Sequence, residues 1–361
     1  IKQNGERDLN FKALQLPDGF LNPLDKYWSI LQLKVLPSGK ILALSERILL
    51  RLNSDGCVDD SFKINFDVSY PMAQGFAVQS TGKIIVARCF GPDRNIVRLN
   101  ENGDEDFSFK AIEDIFFLHR DRFIYGPKII IDENDYIYYA NQKYVVKLQP
   151  NGSIDGSFRT QNLPIGEQIT SILRTPSKKI LVGNYYGSPT LVQLNSDGTF
   201  DTNFNSKIVG GIKTMIVRTN GKVLVAYDAG IGSHKVNLAE IDSQGNIEKI
   251  VASFESTLNQ PTIGWDFGGF YGFGNASLIE LADKKIAAAA GFSSVNGLPQ
   301  SHLALLSPEY KPVVTFKPDL SKIPRYSIMA ATSAGIYLGG SQVQYPDRGI
   351  FWWDVLFGLE Q

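Results

Sequence analysis

The chain has 361 residues, in which 36 lysines and arginines nearly balance 37 aspartates and glutamates. This balance argues against the basic surface with which proteins neutralise nucleic-acid phosphates, and no apolar run approaches the roughly 20 residues of a membrane-spanning helix. We therefore predict no nucleic-acid partner and no membrane insertion. Because the sequence begins at Ile1 without a signal peptide, we also expect a processed form or a piece of a longer chain.

The first complete set of predicted elements lies within residues 29–64. Apolar and β-branched runs bounded by Ser-Gly and Asp-Gly turns predict four antiparallel strands, at residues 29–36, 40–45, 48–53 and 57–64. We call the strands of such a set A, B, C and D. Runs such as "IIVA" and "ILVG" are apolar throughout, so we expect the strands to be buried on both faces of their sheets.

The phrase that joins strands C and D recurs along the chain, and we call it the corner. It reads "RLNSDGCVDDSF" from Arg51 and "RLNENGDEDFSF" from Arg98, with an Asp three residues and a Phe six residues after its Gly. The glycines are Gly5, Gly56, Gly103, Gly152, Gly198 and Gly245; the aspartates are Asp8, Asp59, Asp106, Asp155 and Asp201; the phenylalanines are Phe11, Phe62, Phe109, Phe158 and Phe204. The copy at Gly245 lacks both the Asp and the Phe, and a seventh copy has Tyr310 in place of the Gly.

A second phrase, a short turn followed by an apolar run as in "PSGKILAL", alternates with the corner and also occurs seven times. Two phrases with the same count and phase predict an all-β protein, a seven-bladed β-propeller of four-stranded antiparallel blades forming a single domain over residues 1–361. We expect the ring to be closed by an N-terminal strand, residues 7–12, that joins the C-terminal blade beside residues 349–355. The competing fold is an open β-solenoid, which would need a polar cap at each end.

The corner residues have a structural interpretation and a metal-binding alternative. The Gly suits a tight turn, the Asp can accept hydrogen bonds from backbone N–H groups of the turn, and the Phe can fill the gap between blades. The oxygens of Asn53, Asp55 and Asp59 also resemble the last part of a calcium loop. However, Arg51, Arg98, Lys147 and Gln193 occupy the first ligand position in four copies, and a cation there opposes calcium binding.

Long insertions are predicted at one end of the strands only, in the B–C and D–A connections. They cover residues 13–27, 111–126, 253–274, 291–300 and 341–348. Such variable loops are where binding residues concentrate. Within "GWDFGGFYGFG" the candidate partner-binding residues are Trp265, Phe267, Phe270, Tyr271 and Phe273. The alternative is that these rings form local core between two blades.

The corner phrases together with "QLNSDGTFDTNF" and "GFSSVNGLPQSHLALL" resemble the delta-sixty-repeat β-propeller family of bacteria and their phages. The resemblance covers nearly the whole chain and departs from the family in the corner copies at Gly245 and Tyr310 and in the long insertion before the sixth blade. It implies a propeller of secreted, surface or virion-associated proteins, and it carries over no catalytic residue.

The sequence lacks the usual signatures of catalysis and metal binding. No nucleophile elbow or nucleotide-binding loop occurs, and His119, His234 and His302 have no metal-ligand spacing. We therefore predict that the protein is not an enzyme and has no metal or cofactor. The leading hypothesis is a non-enzymatic structural or interaction module, extracellular, on a cell surface or in a virion, that contacts a protein partner or a neighbouring subunit. The alternative is a glycan-binding protein or a glycosidase.

Overall fold

The structure is a computed structural model that describes residues 10–12, 27–45, 48–64, 73–88, 96–110, 128–141, 144–159, 163–166, 169–185, 187–230, 234–256, 277–318, 327–331, 336–343 and 357–358. All regular elements in these ranges are β-strands. Accordingly, the described residues include no helix of the length and apolarity that a membrane span requires.

The described residues belong to two compact units. One unit is drawn from Ile1–Phe62, Glu255–Gln260 and Phe270–Gln361, and the other from Lys63–Phe254 and Pro261–Gly269. The single domain over residues 1–361 stays a prediction.

The first unit begins with three antiparallel strands, with the second strand in the middle. They are β1 (Tyr27–Val35), β2 (Ile41–Ser45) and β3 (Leu49–Leu52). Every residue of β2 and β3 is buried, as expected for strands that are covered on both faces. We call this group repeat 1; its strands lie within two residues of the predicted strands A, B and C.

The second unit contains repeats 2 to 5, each built on the same antiparallel order. Their strands are β4 (Ala73–Val78), β5 (Ile84–Arg88) and β6 (Ile96–Leu99); β7 (Lys128–Ile131), β8 (Ile137–Asn141) and β9 (Tyr144–Leu148); β10 (Ile169–Arg174), β11 (Ile180–Asn184) and β12 (Leu191–Leu194); and β13 (Ile212–Val217), β14 (Val223–Asp228), β15 (Lys235–Ile241) and β16 (Ile247–Glu255).

The first unit also contains repeats 6 and 7. Repeat 6 consists of β17 (Ser277–Glu280), β18 (Ile286–Ala289) and β21 (Leu303–Leu306), with the hairpin β19 (Ser294–Val295) and β20 (Leu298–Pro299) inserted before its last strand. Repeat 7 consists of β22 (Ser327–Ala331), β23 (Ile336–Val343) and β24 (Phe357–Gly358), with β23 in the middle. The far end of β23 pairs with the start of β1, where Tyr27 lies opposite Val343.

The A–B and C–D turns share one backbone geometry. In the A–B turn of repeat 2, Gln79 N–H donates to the Lys83 carbonyl at 2.8 Å and Gly82 N–H donates back to Gln79 at 2.9 Å. The C–D turn repeats this pattern between Asn100, Gly103 and Asp104. In an antiparallel group both turns lie at one end of the strands, which we call the turn end. The B–C connections lie at the opposite end, which we call the loop end.

The prediction of four strands in every blade is wrong. After the C–D turn most repeats form a single bridge, such as Leu52 with Val58 or Leu148 with Ile154. The chain then turns at once, because Phe62 N–H donates to the Asp59 carbonyl at 3.0 Å. The predicted strand at residues 57–64 is therefore one bridge followed by a turn, and the corner itself ends the strand.

Repeat 5 is different because its corner copy has neither Asp nor Phe. Here the chain continues as β16, nine residues long, beside β15, and the order β13-β14-β15-β16 makes four strands. Glu248 and Val251 occupy the positions of the missing Asp and Phe. A full fourth strand forms where the turn-forming residues are missing.

The predicted closure of the ring depends largely on residues 1–9 and 344–356, and these residues lie outside the described ranges. In the part of the chain that is described, Phe357 and Gly358 supply the third strand of repeat 7. The ring of Phe11 packs against Tyr337 of the same repeat, with centroids 5.6 Å apart. The all-β repeat architecture is established, and a closed ring of seven four-stranded blades is not.

Hydrophobic clusters lie between successive repeats. One joins Ile85 and Ile96 of repeat 2 to Tyr139 and Val146 of repeat 3, with Phe109 of the corner among them. Neighbouring repeats therefore bury each other's sheet faces, as stacked repeats must when a lone sheet cannot cover both of its faces.

Candidate functional site

Each described corner aspartate is held by both of its oxygens. At Asp59, Oδ2 accepts from Arg51 Nε at 2.6 Å and from Lys40 Nζ at 2.8 Å. Oδ1 accepts from the backbone N–H and the hydroxyl of Ser61, at 3.1 and 2.6 Å. The carboxylate therefore ties the turn that follows it to the A–B turn and to strand C of its own repeat.

The same arrangement recurs at the other described corners with small changes. Asp106 accepts from Lys83 at 2.6 Å and from Arg98 at 2.8 Å, Asp201 accepts from Lys179 and Gln193, and Asp155 accepts from Lys147 and Ser157. Lys40, Lys83 and Lys179 close the A–B turns in the second repeated phrase. The two phrases that alternate in the sequence are thus joined by an ion pair, a connection that sequence analysis missed because it treated them separately.

Hydrogen bonding controls the protonation of the corner acids. Burial raises the pKa of Asp59, but hydrogen bonds from Lys40, Ser61 and Arg51 outweigh it and hold the pKa well below its ordinary value. Burial is outweighed in the same way at Asp106, by Lys83 and Ser108, so its pKa is lowered too. These carboxylates are therefore charged throughout the neutral range.

The same contacts bear on the calcium alternative. The side chains at the first ligand position bind the corner carboxylates: Arg51 binds Asp59, Arg98 binds Asp106, Lys147 binds Asp155 and Gln193 binds Asp201. Nor do the described ranges bring three or more His, Cys, Asp or Glu together in a metal-binding arrangement. An ammonium or guanidinium group already neutralises all four of these acids, since Asp201 pairs with Lys179, and this removes the reason for a calcium ion there.

The corner phenylalanines connect one repeat to the next. A Cβ added to Gly152 would lie 2.6 Å from the ring of Phe109, and one added to Gly245 would lie 2.7 Å from the ring of Phe204. The residue after each Phe also donates its N–H across the same junction, as Lys110 does to the Asn151 carbonyl at 2.8 Å. The corner Gly is thus needed for the neighbour's ring as well as for its own positive φ.

The turn end carries further polar contacts between repeats. Ser80 donates through its N–H and hydroxyl to Asp135, at 2.7 and 2.6 Å. Arg98 donates to the Pro150 carbonyl at 2.9 Å, and Arg174 forms an ion pair with Glu133. Many polar side chains at the turn end therefore already form hydrogen bonds or ion pairs within the protein.

Several predicted site residues lie outside the described residues. These are Asp8 and the five aromatics Trp265, Phe267, Phe270, Tyr271 and Phe273. The aromatic candidates stay a prediction. The other corner residues lie at the turn end, where the structure places them in the contacts given above.

The loop end of repeat 5 holds a buried ion pair that sequence analysis did not find. Lys213 Nζ of β13 lies 3.2 Å from Asp228 Oδ2 at the end of β14. It also lies 4.2 Å from the ring centroid of Tyr185, which follows β11 of repeat 4. The backbone of Gly210 and Gly211 packs against this pair so closely that a Cβ on Gly211 would meet Tyr185 and Asp228.

A β-bulge between Ile212 and Thr214 positions Lys213 at this site. A bulge turns the side chain of the extra residue away from the regular alternation of the strand. The sequence contained one signal, a Lys within the otherwise apolar start of "GGIKTMIV". Asp228 is fifteen residues further along, and its proximity depends on a register that the sequence does not specify.

Both members of this pair are disfavoured as ions by their surroundings. Burial lowers the pKa of Lys213 and raises that of Asp228, and in each case the attraction of the partner only partly offsets it. Perturbed groups of this kind concentrate at functional sites, although buried structural pairs also produce them. We take Lys213, Asp228 and Tyr185 as the candidate site.

Comparison with known proteins identifies the fold type. Residues 79–109 and 175–204 match a family described as "Domain of unknown function (DUF5122) beta-propeller". Both segments run from an A–B turn to a corner Phe. Together with the repeated antiparallel groups, the match supports a protein of the β-propeller type. No curated protein matches the chain.

Solved structures share the fold at low sequence identity. A selenomethionine-substituted virginiamycin B lyase from Staphylococcus aureus matches with a TM-score of 0.59 and 13% identity, covering 91% of this chain and 95% of that chain. A structure of YCF48 bound to D1 peptide matches with a TM-score of 0.59 and 11% identity, covering 98% of this chain and 96% of that chain. PorZ, a bacterial surface component of the type-IX secretion system of Porphyromonas gingivalis, matches with a TM-score of 0.52 and 14% identity, covering 90% of this chain and 46% of PorZ.

The first of these matches corrects the prediction that the protein is not an enzyme. Virginiamycin B lyase is an enzyme by name and shares the fold over nearly its whole length. The prediction was wrong because it excluded catalysis on the ground that catalytic sequence motifs were missing. On such a fold the catalytic groups can come from several repeats and leave no linear motif. At this identity the likeness shows the fold alone.

Proposed function

We propose that this protein is a β-propeller interaction module that binds a protein partner at its loop end. The observation that carries the proposal is the difference between the two ends of the strands. At the turn end, the acids and bases of the corners bind one another and the neighbouring repeat. At the loop end we expect the long insertions, and there the half-buried acid Asp228 has one donor among the described residues.

The structural neighbours support a protein partner and a surface location. One neighbour is bound to a peptide, and PorZ is a bacterial surface component. An extracellular, cell-surface or virion setting fits these neighbours and the resemblance to the delta-sixty-repeat family. We propose the same family for this chain, with residues 1–361 forming one seven-bladed ring.

The partner surface we propose includes the aromatics at Trp265, Phe267, Phe270, Tyr271 and Phe273. Aromatic side chains anchor interfaces because they bury a large area at low cost in conformational entropy. Their position in the longest insertion, in a B–C or D–A connection, supports a place on the loop end.

A selection from a random displayed-peptide library tests this function without a known partner. The expected result is a set of peptides that bind the protein and lose binding when Trp265 and Tyr271 are both changed to alanine. The matched control is the pair Ser54→Ala and Ser196→Ala at the turn end, which should bind as the wild type does. Thermal unfolding of all variants separates lost binding from lost folding.

Three results would contradict the proposal. Selected peptides could bind the loop-end variant as well as the wild type, which would place the surface elsewhere. They could lose binding to the folded turn-end variant, which would reverse the assignment of the ends. A library that yields no binder, while a glycan array yields one, would favour the carbohydrate alternative.

A further inference from the structure

Asp228 accepts fewer hydrogen bonds than the corner carboxylates. Asp59 and Asp106 each accept from a lysine, an arginine and a serine. In the described residues, the side chain of Asp228 has Lys213 as its partner, at the longer distance of 3.2 Å. Each oxygen of a carboxylate can accept more than one hydrogen bond, so Asp228, with one donor, has unused acceptor capacity. Because the carboxylate is partly removed from water, each further donor would stabilise it.

The repeats provide an internal control for whether the fold needs this pair. Aligning the bulges of β10 and β13 places Thr170 at the position of Lys213, and Tyr185 at the position of Asp228. In repeat 4 Thr170 donates to the Ile212 carbonyl at 2.7 Å instead of forming an ion pair. The same bulge forms without the pair, so the architecture of a repeat does not require Lys213 and Asp228.

The acid is the accessible member of the pair. The side chain of Asp228 is 15% exposed and that of Lys213 is 3% exposed. Tyr185 beside them is half-buried, and a Cβ added to Gly230 would meet nothing within 4 Å. A group that approaches from solvent at the loop end therefore reaches the carboxylate before the ammonium.

We propose that Asp228 is a docking site for an arginine side chain of the protein partner, with Tyr185 as its aromatic wall. The corners supply the precedent, because Asp59 shares one oxygen between a lysine and an arginine, Lys40 and Arg51. Lys213 already occupies the lysine position at Asp228, and the arginine position is left for the partner. A guanidinium offers donors in a fixed planar fork that suits a carboxylate.

A cation suits this site better than a neutral donor does. Sugar hydroxyls can donate hydrogen bonds, but they bring no charge to offset the desolvation of the acid. The proposal rests on the proposed binding function and specifies its chemistry. Peptides selected against the loop end should therefore be rich in arginine.

The test is made on wild-type protein with one selected peptide in two forms, with arginine and with citrulline, its neutral isostere. We expect citrulline to weaken binding by roughly tenfold to a hundredfold, as for loss of a charge-assisted hydrogen bond. Asp228→Asn should weaken the arginine peptide similarly and leave the citrulline peptide unchanged. Asp60→Asn, an exposed acid at the turn end, should change neither.

The outcomes separate this inference from the proposed function. Equal binding of both peptides at the loop end would overturn the arginine site and leave the function standing. If no selected peptide binds at the loop end, both the arginine site and the proposed binding function are overturned. If Asp228→Asn fails to fold, the comparison of arginine with citrulline still decides, because it needs no variant.

Discussion

At the scale of residues, a few side chains hold each repeat together by completing one another's hydrogen bonds. Asp59 shows this well, because it joins a lysine from the A–B turn to an arginine on strand C and to the serine that follows it. The next residue, Asp60, is exposed and has no such role. Adjacent acids of the same type can therefore serve as test and control.

Asp59→Asn should lower the free energy of unfolding by about 2 to 3 kcal/mol, because it leaves the buried guanidinium of Arg51 without its charged acceptor. Asp60→Asn should change it by less than about 0.5 kcal/mol. Urea unfolding at neutral pH measures both. A variant at Asp59 as stable as the wild type would contradict the contacts described.

The pH dependence of stability follows from the lowered pKa of Asp59. A carboxyl group with a lower pKa in the folded state stabilises it above the unfolded pKa of about 4, and this contribution is lost as pH falls further. The wild type should therefore lose its advantage over Asp59→Asn progressively below about pH 4. An advantage that is constant down to strongly acidic pH would contradict this assignment.

Two glycines with the same backbone conformation should respond differently to alanine. Gly221 has φ of 82° and open space around it, whereas Gly152 has φ of 90° and the ring of Phe109 against it. Gly221→Ala should cost about 1 to 2 kcal/mol from backbone strain alone. Gly152→Ala should cost about 3 to 5 kcal/mol, since overpacking adds to the strain. Equal costs in thermal unfolding would mean that the ring does not cover the glycine.

At the scale of elements, the corner determines how much of a fourth strand each repeat has. The Gly, Asp and Phe of the corner could be identified from the sequence because they recur, and strands A to C of repeat 1 were predicted to within two residues. The prediction was wrong about strand D because β-propensity continues through residues 57–64, whereas the chain turns there, with Phe62 N–H donating to the Asp59 carbonyl. Repeat 5, with Glu248 and Val251 at these positions, forms β16 instead.

The candidate site could not be predicted in the same way. Among the repeats whose bulges can be aligned, one contains the Lys213–Asp228 pair. Because the pair does not recur, comparison of the repeats in the sequence could not reveal it. Its two members also meet only through a β-bulge and the register of β13 with β14. A one-residue change of register would separate them, and the sequence does not determine the bulge.

The lysine of the A–B turn and the acid of the corner should show a measurable coupling energy where the acid is buried. Asp106 is 9% exposed and binds Lys83, whereas Glu248 is 37% exposed and binds Lys222. A double-mutant cycle on Lys83→Met and Asp106→Asn should give a coupling energy of about 1 to 2 kcal/mol. The matched cycle on Lys222→Met and Glu248→Gln should give less than about 0.5 kcal/mol. Reversed values would show that burial does not set the strength of these pairs.

At the scale of the whole molecule, the junction between the N-terminal corner and repeat 7 bears on ring closure. Phe11 is buried in one cluster with Ile30, Leu33 and Ala330, and it packs on Gly56 as the interior phenylalanines pack on their glycines. We therefore propose that the N-terminal residues complete repeat 7.

Phe11→Ala should cost about 3 to 5 kcal/mol, the same as Phe158→Ala at an interior corner. Removal of residues 1–12 should destabilise the protein at least as much. Both are measured by urea unfolding against the wild type. A terminal appendage would behave differently, with a cost for Phe11→Ala far below that for Phe158→Ala.

Hydrogen–deuterium exchange with a bound peptide, selected from a library, tests most directly whether partners bind at the loop end. We expect slower exchange in the segments around Tyr185, Gly211 and Asp228, and unchanged exchange in the C–D turns at Gly56 and Gly198. Slower exchange confined to those C–D turns, with the loop end unchanged, would contradict it.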